Sequence, residues 1–170
     1  TIFYSIIGPL INPAFAPRHL LGVYKPELLD TVSFVAKELG YTRAMFVHGI
    51  DGLDEISLLG PTRINELKNG VITTYEIKPE DFGLERCSLA EIKTGTPEEN
   101  AATIRGVLAG KIKGPRRTAI VLNAAGALVV GGKADGFKEG IKLAGELIDS
   151  KAAEKKLAQL REMSNSFTEQ

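Results

Sequence analysis

The chain has 170 residues, enough for one domain with a substantial core. Lysine plus arginine and aspartate plus glutamate both number 21, so the net charge is zero and no long-range field draws in nucleic acid or an acidic membrane. Cys87 is the only cysteine, which excludes an internal disulfide, suits a reducing compartment and leaves no Cys/His cluster for structural zinc.

The leading segment, Thr1 to Ile7, is apolar and compatible with helix or strand. Gly8-Pro-Leu-Ile-Asn-Pro-Ala14 breaks regular structure, because proline cannot continue a ladder and pushes the preceding residue out of the helical region. Arg18 to Tyr24 reads as a buried strand. Pro26 suits the first turn of a helix, in which Leu29, Val32, Val35, Ala36 and Leu39 recur at helical spacing up to Gly40. Arg43 to Val47 is the next strand, and this strand, helix, strand unit predicts a parallel pair. Ile56 to Leu59 and Arg63 to Leu67 read as short strands. Asn69-Gly70 signals a tight turn before Val71 to Ile77, giving a hairpin expected to lie against the parallel sheet. Lys78 to Gly95 reads as irregular, with a short helix near Leu89.

Thr96-Pro-Glu-Glu99 is a capping box opening a helix that runs to about Gly110. The compact basic run Lys111 to Arg117 reads as the solvated start of a helix. Thr118 to Gly132 is apolar and alanine-rich, and reads as a helix buried on most sides; it is too short for a bilayer span of roughly 20 residues, and Asn123 interrupts it. Asp135 is expected to cap a further helix with Phe137, Ile141, Ala144 and Ile148 on one face. Lys151 to Met163 reads as an amphipathic terminal helix, and residues 164–170 as a loose tail.

Val47-His-Gly-Ile-Asp-Gly-Leu-Asp-Glu55 gathers Asp51, Asp54 and Glu55 in a loop that follows a strand. Open α/β sheets bind ligands beyond the carboxyl ends of their strands. In a loop the alternation of a strand lapses, so Asp54 and Glu55 can converge, and Gly49 and Gly52 let the backbone turn sharply. Magnesium keeps several waters and is commonly held by one or two carboxylates plus substrate phosphates, which suits this pair. The competing reading is a solvated acidic turn with Asp51 as a cap. His48 and His19 read as orienting or packing residues, Asn123 as bonding backbone or a facing loop, and Cys87, without an activating base, as inert.

Thr1 to Ala14 (TIFYSIIGPLINPA) resembles the T-I-F-N-I-L-G-P-L-T-N-P-A signature of the anthranilate phosphoribosyltransferase family. His48 to Glu55 (HGIDGLDE) resembles its H-G-x-D-G-L-D-E segment, and Leu122 to Asp135 is similar to its late L-N-A-A-A-A-L motif. The resemblance covers Thr1 to about Leu147. It implies a nucleoside phosphorylase/phosphoribosyltransferase-like C-terminal α/β domain over residues 1–163, with a mixed, mainly parallel sheet flanked by helices and the N-terminal helical portion missing. It implies transfer of the phosphoribosyl group of phosphoribosyl pyrophosphate to anthranilate, in tryptophan biosynthesis, by a cytoplasmic enzyme that forms homodimers through its helical N-terminal domain. Asp54 and Glu55 match the family's Mg2+-binding acids, and Gly8 and Pro9 its anthranilate-side residues. Ser5 and Ile11 depart from the signature, which has Asn and Thr there. The family's glycine-rich phosphate loop, Lys-His-Gly-Asn segment and anthranilate-binding arginine precede the matched stretch. This chain, beginning at Thr1 inside an apolar segment, is therefore expected to be a C-terminal piece and inactive by itself. A nucleoside phosphorylase of the related fold and a non-catalytic ligand-binding relative are the rival readings.

Overall fold

In the computed structural model, which describes residues 3–93 and 95–167, a four-stranded sheet lies between two sets of helices. Its strands are β1 (Arg18–Gly22), β2 (Arg43–Gly49), β3 (Thr62–Lys68) and β4 (Val71–Ile77), in that order across the sheet. β1 and β2 are parallel, with Leu20 opposite Met45, and α2 (Leu29–Glu38) connects them. The β2–β3 and β3–β4 pairings are antiparallel. The sheet is therefore mixed as expected, but not mainly parallel. The hairpin does not lie against the parallel pair; it continues the pair edge to edge, with Gly49 opposite Thr62. A buried central strand needs backbone partners along both edges, and β3 satisfies the second edge of β2. Asn69 and Gly70 both take left-handed φ, 52° and 78°, as a two-residue hairpin turn requires.

The side chains of β2 alternate between two cores. Ala44 and Phe46 pack with Leu29, Val32 and Ala36 of α2 and with Ile6 and Leu10 from the start of the chain. Met45 and Val47 pack with Leu122, Ala125 and Val129 of α5 (Pro115–Val130) and Phe137 of α6 (Phe137–Asp149). Covering both faces explains why this strand reads as an unbroken apolar run. On α2, Ser33 is buried, whereas Val35 and Leu39, counted in the sequence pattern, are exposed.

Other segments depart from the sequence reading. A π-helical turn, Phe3–Ile7, leads into a single turn α1 (Gly8–Leu10), so regular structure ends at Ile11 and not at Gly8; proline is tolerated in a first helical turn. Thr1 and Ile2 of the leading segment, and Thr94 of the irregular stretch, lie outside the described residues. Ile56 to Leu59 is no strand but a buried loop. The helix near Leu89 is α3 (Leu89–Ile92). The capping box of α4 (Pro97–Leu108) is present: Thr96 Oγ1 accepts the Glu99 N–H at 3.3 Å and Glu99 accepts the Thr96 N–H at 2.7 Å. The cap of α6 is Gly136, not Asp135, because the Gly136 carbonyl accepts the first helical bond, from the Gly140 N–H at 2.9 Å; Glu139 reaches back to the Asp135 N–H at 2.7 Å. Helix α7 (Ala152–Ser166) continues past Met163, so 164–166 of the expected tail are helical, and 168–170 lie outside the described residues. Among the described residues no helix is long and apolar enough to cross a membrane.

Candidate metal and substrate site

Because β1 and β2 are parallel, their carboxyl ends share one edge of the sheet, and the acidic loop leaves β2 there. Gly52, at φ 95°, makes the turn that the loop requires. Asp51 braces the loop from within: its carboxylate accepts the Leu53 N–H at 3.1 Å and the Ser57 hydroxyl. This is the cap role, and it removes Asp51 from the acids available to a ligand. His48 is buried and its Nδ1 lies 2.7 Å from the Val23 carbonyl, so the ring, protonated there, ties the end of β1 to β2. Gly22, the last residue of β1, sits directly against Asp54; a Cβ there would fall 2.6 Å from the Asp54 carbonyl carbon.

Asp54 is exposed and Glu55 half-buried, and neither has a hydrogen bond or ion pair among the described residues. Burial, followed by the charges of Asp54 and Asp51, pushes the Glu55 carboxyl above its ordinary range. Two carboxylates are thus held together without a countercharge. No group of three or more His, Cys, Asp or Glu among the described residues is placed to hold a metal unaided. The pair does not suit a closed structural site. It does suit a hydrated magnesium ion whose remaining ligands are water and substrate phosphates.

Glu55 also lines a cavity of about 430 Å³, with Asn100 and Thr103 from α4 and Arg116, Ala119 and Asn123 from α5. Asn123 bonds both its own helix and the facing loop. Its Oδ1 accepts the Ile56 N–H at 2.9 Å, and its Nδ2 donates to the carbonyls of Ile56, at 2.9 Å, and Ala119, at 3.1 Å. The basic run enters α5 as read, with Lys111 and Lys113 exposed, but its two arginines are anchored: Arg116 donates to the carbonyls of Glu91 and Lys93, and Arg117 pairs with Asp149 at 2.9 Å. Gly8 and Pro9 are half-buried and line no part of this cavity. Their neighbour Leu10 lines a separate cavity of about 370 Å³, near the amino end of β1, where Tyr41 donates to the Leu10 carbonyl at 3.1 Å. Gly8 and Pro9 line neither of these two cavities.

Residues 1–154 match the sequence profile of the glycosyl transferase family, a/b domain. The chain belongs to that family. Among curated relatives, the anthranilate phosphoribosyltransferase of Methanobrevibacter smithii is 49% identical over 166 residues, which cover 98% of this chain and 49% of that protein. The Desulfosudis oleivorans anthranilate phosphoribosyltransferase is 48% identical, with the same coverage of 98% and 49%. The chain spans about half the length of the curated relatives it matches. Among solved structures, the Thermus thermophilus anthranilate phosphoribosyltransferase superposes with a TM-score of 0.81 at 40% identity, covering 91% of this chain and 45% of that one. The Saccharomyces cerevisiae enzyme in complex with PRPP and Mg gives a TM-score of 0.80 at 31% identity, covering 89% of this chain and 44% of that one. The family resemblance carried by the motifs thus extends over nearly the whole chain.

In this glycosyl transferase domain several residues around the acidic pair carry little signal in the sequence. Asn100 and Thr103 lie one turn apart on the helix that the capping box opens, and nothing in the pattern shows which face meets Glu55. Gly22 carries only a weak signal, a glycine ending an apolar strand where another backbone approaches closely. His19 lies 6.0 Å from the Tyr41 ring, and burial raises the thiol pKa of Cys87.

Proposed function

We propose that this chain is the α/β domain of an anthranilate phosphoribosyltransferase. The reaction joins anthranilate to phosphoribosyl pyrophosphate, gives N-(5-phosphoribosyl)anthranilate and pyrophosphate, and serves tryptophan biosynthesis. The observation that carries the reading is the Asp54–Glu55 pair, which makes no hydrogen bond or ion pair among the described residues and whose Glu55 lines a cavity, in the loop that leaves the carboxyl end of β2. Similarity to the yeast enzyme solved with PRPP and Mg supports it, as does similarity to the same enzyme solved with 4-fluoroanthranilate.

In the reaction the bond between the anomeric carbon and pyrophosphate breaks, its electron pair leaving with the diphosphate. The anthranilate nitrogen forms the new bond and gives up a proton. Positive charge builds at the anomeric carbon, as in other glycosyl transfers. Asp54 and Glu55 are the residues that would hold Mg2+, which when bound offsets negative charge on the diphosphate. The remaining work of the chain is placement: Gly22 and Asn123 fix the acidic loop from two sides. Gly8 and Pro9, a rigid turn of small apolar profile, belong in this reading to the side that meets the flat anthranilate ring, across a space bounded by residues outside this chain. The same reading expects a cytoplasmic homodimer, paired through the family's helical N-terminal domain.

The test uses the intact protein with anthranilate, phosphoribosyl pyrophosphate and Mg2+, following loss of anthranilate fluorescence. Asp54→Asn combined with Glu55→Gln should lower turnover by at least about 100-fold with the fold retained by circular dichroism. Turnover of a pyrimidine nucleoside with phosphate, and none with anthranilate, would overturn the assignment.

A further inference from the structure

We infer that Asn123 is a positioning residue for the Asp54–Glu55 pair, an inference that rests on the metal reading above. Its carboxamide pairs with both the N–H and the carbonyl of Ile56, the residue directly after Glu55, as a neighbouring strand would. The loop from Ile56 to Leu59 has no sheet partner, so this side chain stands in for one. Three residues further along α5, Gly126 receives the Ile56 side chain; a Cβ there would fall 2.6 Å from Ile56 Cδ1. Ile56 is thus held by its backbone at one point of α5 and by its side chain at the next. Asp54 is blocked from the other side by Gly22. Two acids that repel each other are kept adjacent by groups that carry no charge, leaving their oxygens free for a cation. The donation from Asn123 to the Ala119 carbonyl fixes which way the amide faces. Groups that orient a metal ligand without touching the metal typically contribute 10–100-fold in affinity.

The probe is Mn2+ bound to the intact protein in the presence of phosphoribosyl pyrophosphate, read by electron paramagnetic resonance. Asn123→Leu keeps the branched shape and loses all three hydrogen bonds. Asn123→Asp keeps the acceptor and loses both donations. Either should weaken Mn2+ binding by about 10–100-fold and raise the Mg2+ concentration needed for half-maximal turnover in proportion. Val121→Ala, in the core patch that α5 forms with Val107 and Ile148, is the control for a merely structural role; it should lower Tm and leave Mn2+ affinity at the parent value. Parent-like Mn2+ affinity in a folded Asn123 variant overturns the proposal, and so does an equal loss in the Val121 variant. If neither Asn123 variant folds, hydrogen exchange of the parent decides: an Ile56 amide that exchanges as fast as the amide of exposed Asp54 overturns the proposal, and a protected one supports it. Unchanged Mn2+ affinity in the Asp54→Asn, Glu55→Gln protein would instead sink the metal reading itself, with the role of Asn123 in holding Ile56 still measurable by exchange.

Discussion

Replacing Gly22 by alanine adds one methyl group at the point where β1 meets the acidic loop. The backbone of Gly22 is not in the left-handed region, so alanine is conformationally free to occupy it, and in an open strand the change would be mildly favourable. The obstacle is steric. The new Cβ would stand 2.6 Å from the Asp54 carbonyl carbon, closer still to its oxygen, and 3.3 Å from the Asp54 Cβ, while ordinary contact begins at 3.4 Å. The obstructing atoms are backbone, so no rotamer change relieves them. The oxygen is the nearer atom, so Asp54 must retreat by more than about 1 Å, and Glu55 with it. Misplacing a positioned group by about 1 Å costs on the order of 100-fold in rate, so turnover of the intact protein should fall by roughly that factor. Overpacking of this kind costs about 1–3 kcal/mol, a Tm decrease of roughly 2–12 °C for a domain of this size. Anthranilate fluorescence gives the rate and thermal denaturation gives the Tm. A Gly22→Ala protein with parent turnover and a Tm equal to or above the parent would refute the close approach and the placement argument built on it.

Phe46→Ala removes a fully buried ring from the core beneath α2 and should cost about 3–5 kcal/mol in urea denaturation. Gly70→Ala forces a side chain into left-handed φ at the hairpin tip and should cost about 1–2 kcal/mol by the same measurement. Burial holds the His19 imidazole below its ordinary pKa of 6.5, so at lower pH the unfolded chain takes up a proton that the folded chain resists. Stability should therefore decline as pH falls from about 6.5 through the depressed pKa, and His19→Gln should flatten that part of the profile, as denaturation midpoints at a series of pH values would show.

What can be read in the sequence is whatever local chemistry decides. The Thr96 capping box, the Asn69-Gly70 turn and the apolar run Arg43 to Val47 each dictate their structure within a few residues. The stretch Ile56 to Leu59 reads wrongly as a strand because burial and apolar character are all that a short run reveals. Its backbone is satisfied outside any ladder: Asn123 takes Ile56, the Thr62 hydroxyl takes the Ser57 N–H at 2.8 Å, and the Cys87 N–H donates to the Leu58 carbonyl at 3.2 Å. For the site, the acids themselves are legible as a pattern, and their division of labour is not. Asp51 and Asp54 look alike in sequence; only the Ser57 hydroxyl and the Leu53 N–H separate the brace from the acid left free. The sequence overstates the parallel character of the sheet for a related reason, since nothing local to the hairpin tells whether it covers a sheet or extends it.

The tie between Ile56 and Asn123 joins residues 67 positions apart. On a ribosome, the β3–β4 hairpin can therefore close while the carboxylates ahead of it still lack their anchor, and they acquire it only once α5 has left the exit tunnel. A nascent chain stalled before α5 would keep the Asp51 brace and leave Ile56 unfastened, so the far end of the acidic loop is secured late in synthesis, with the docking of a single helix.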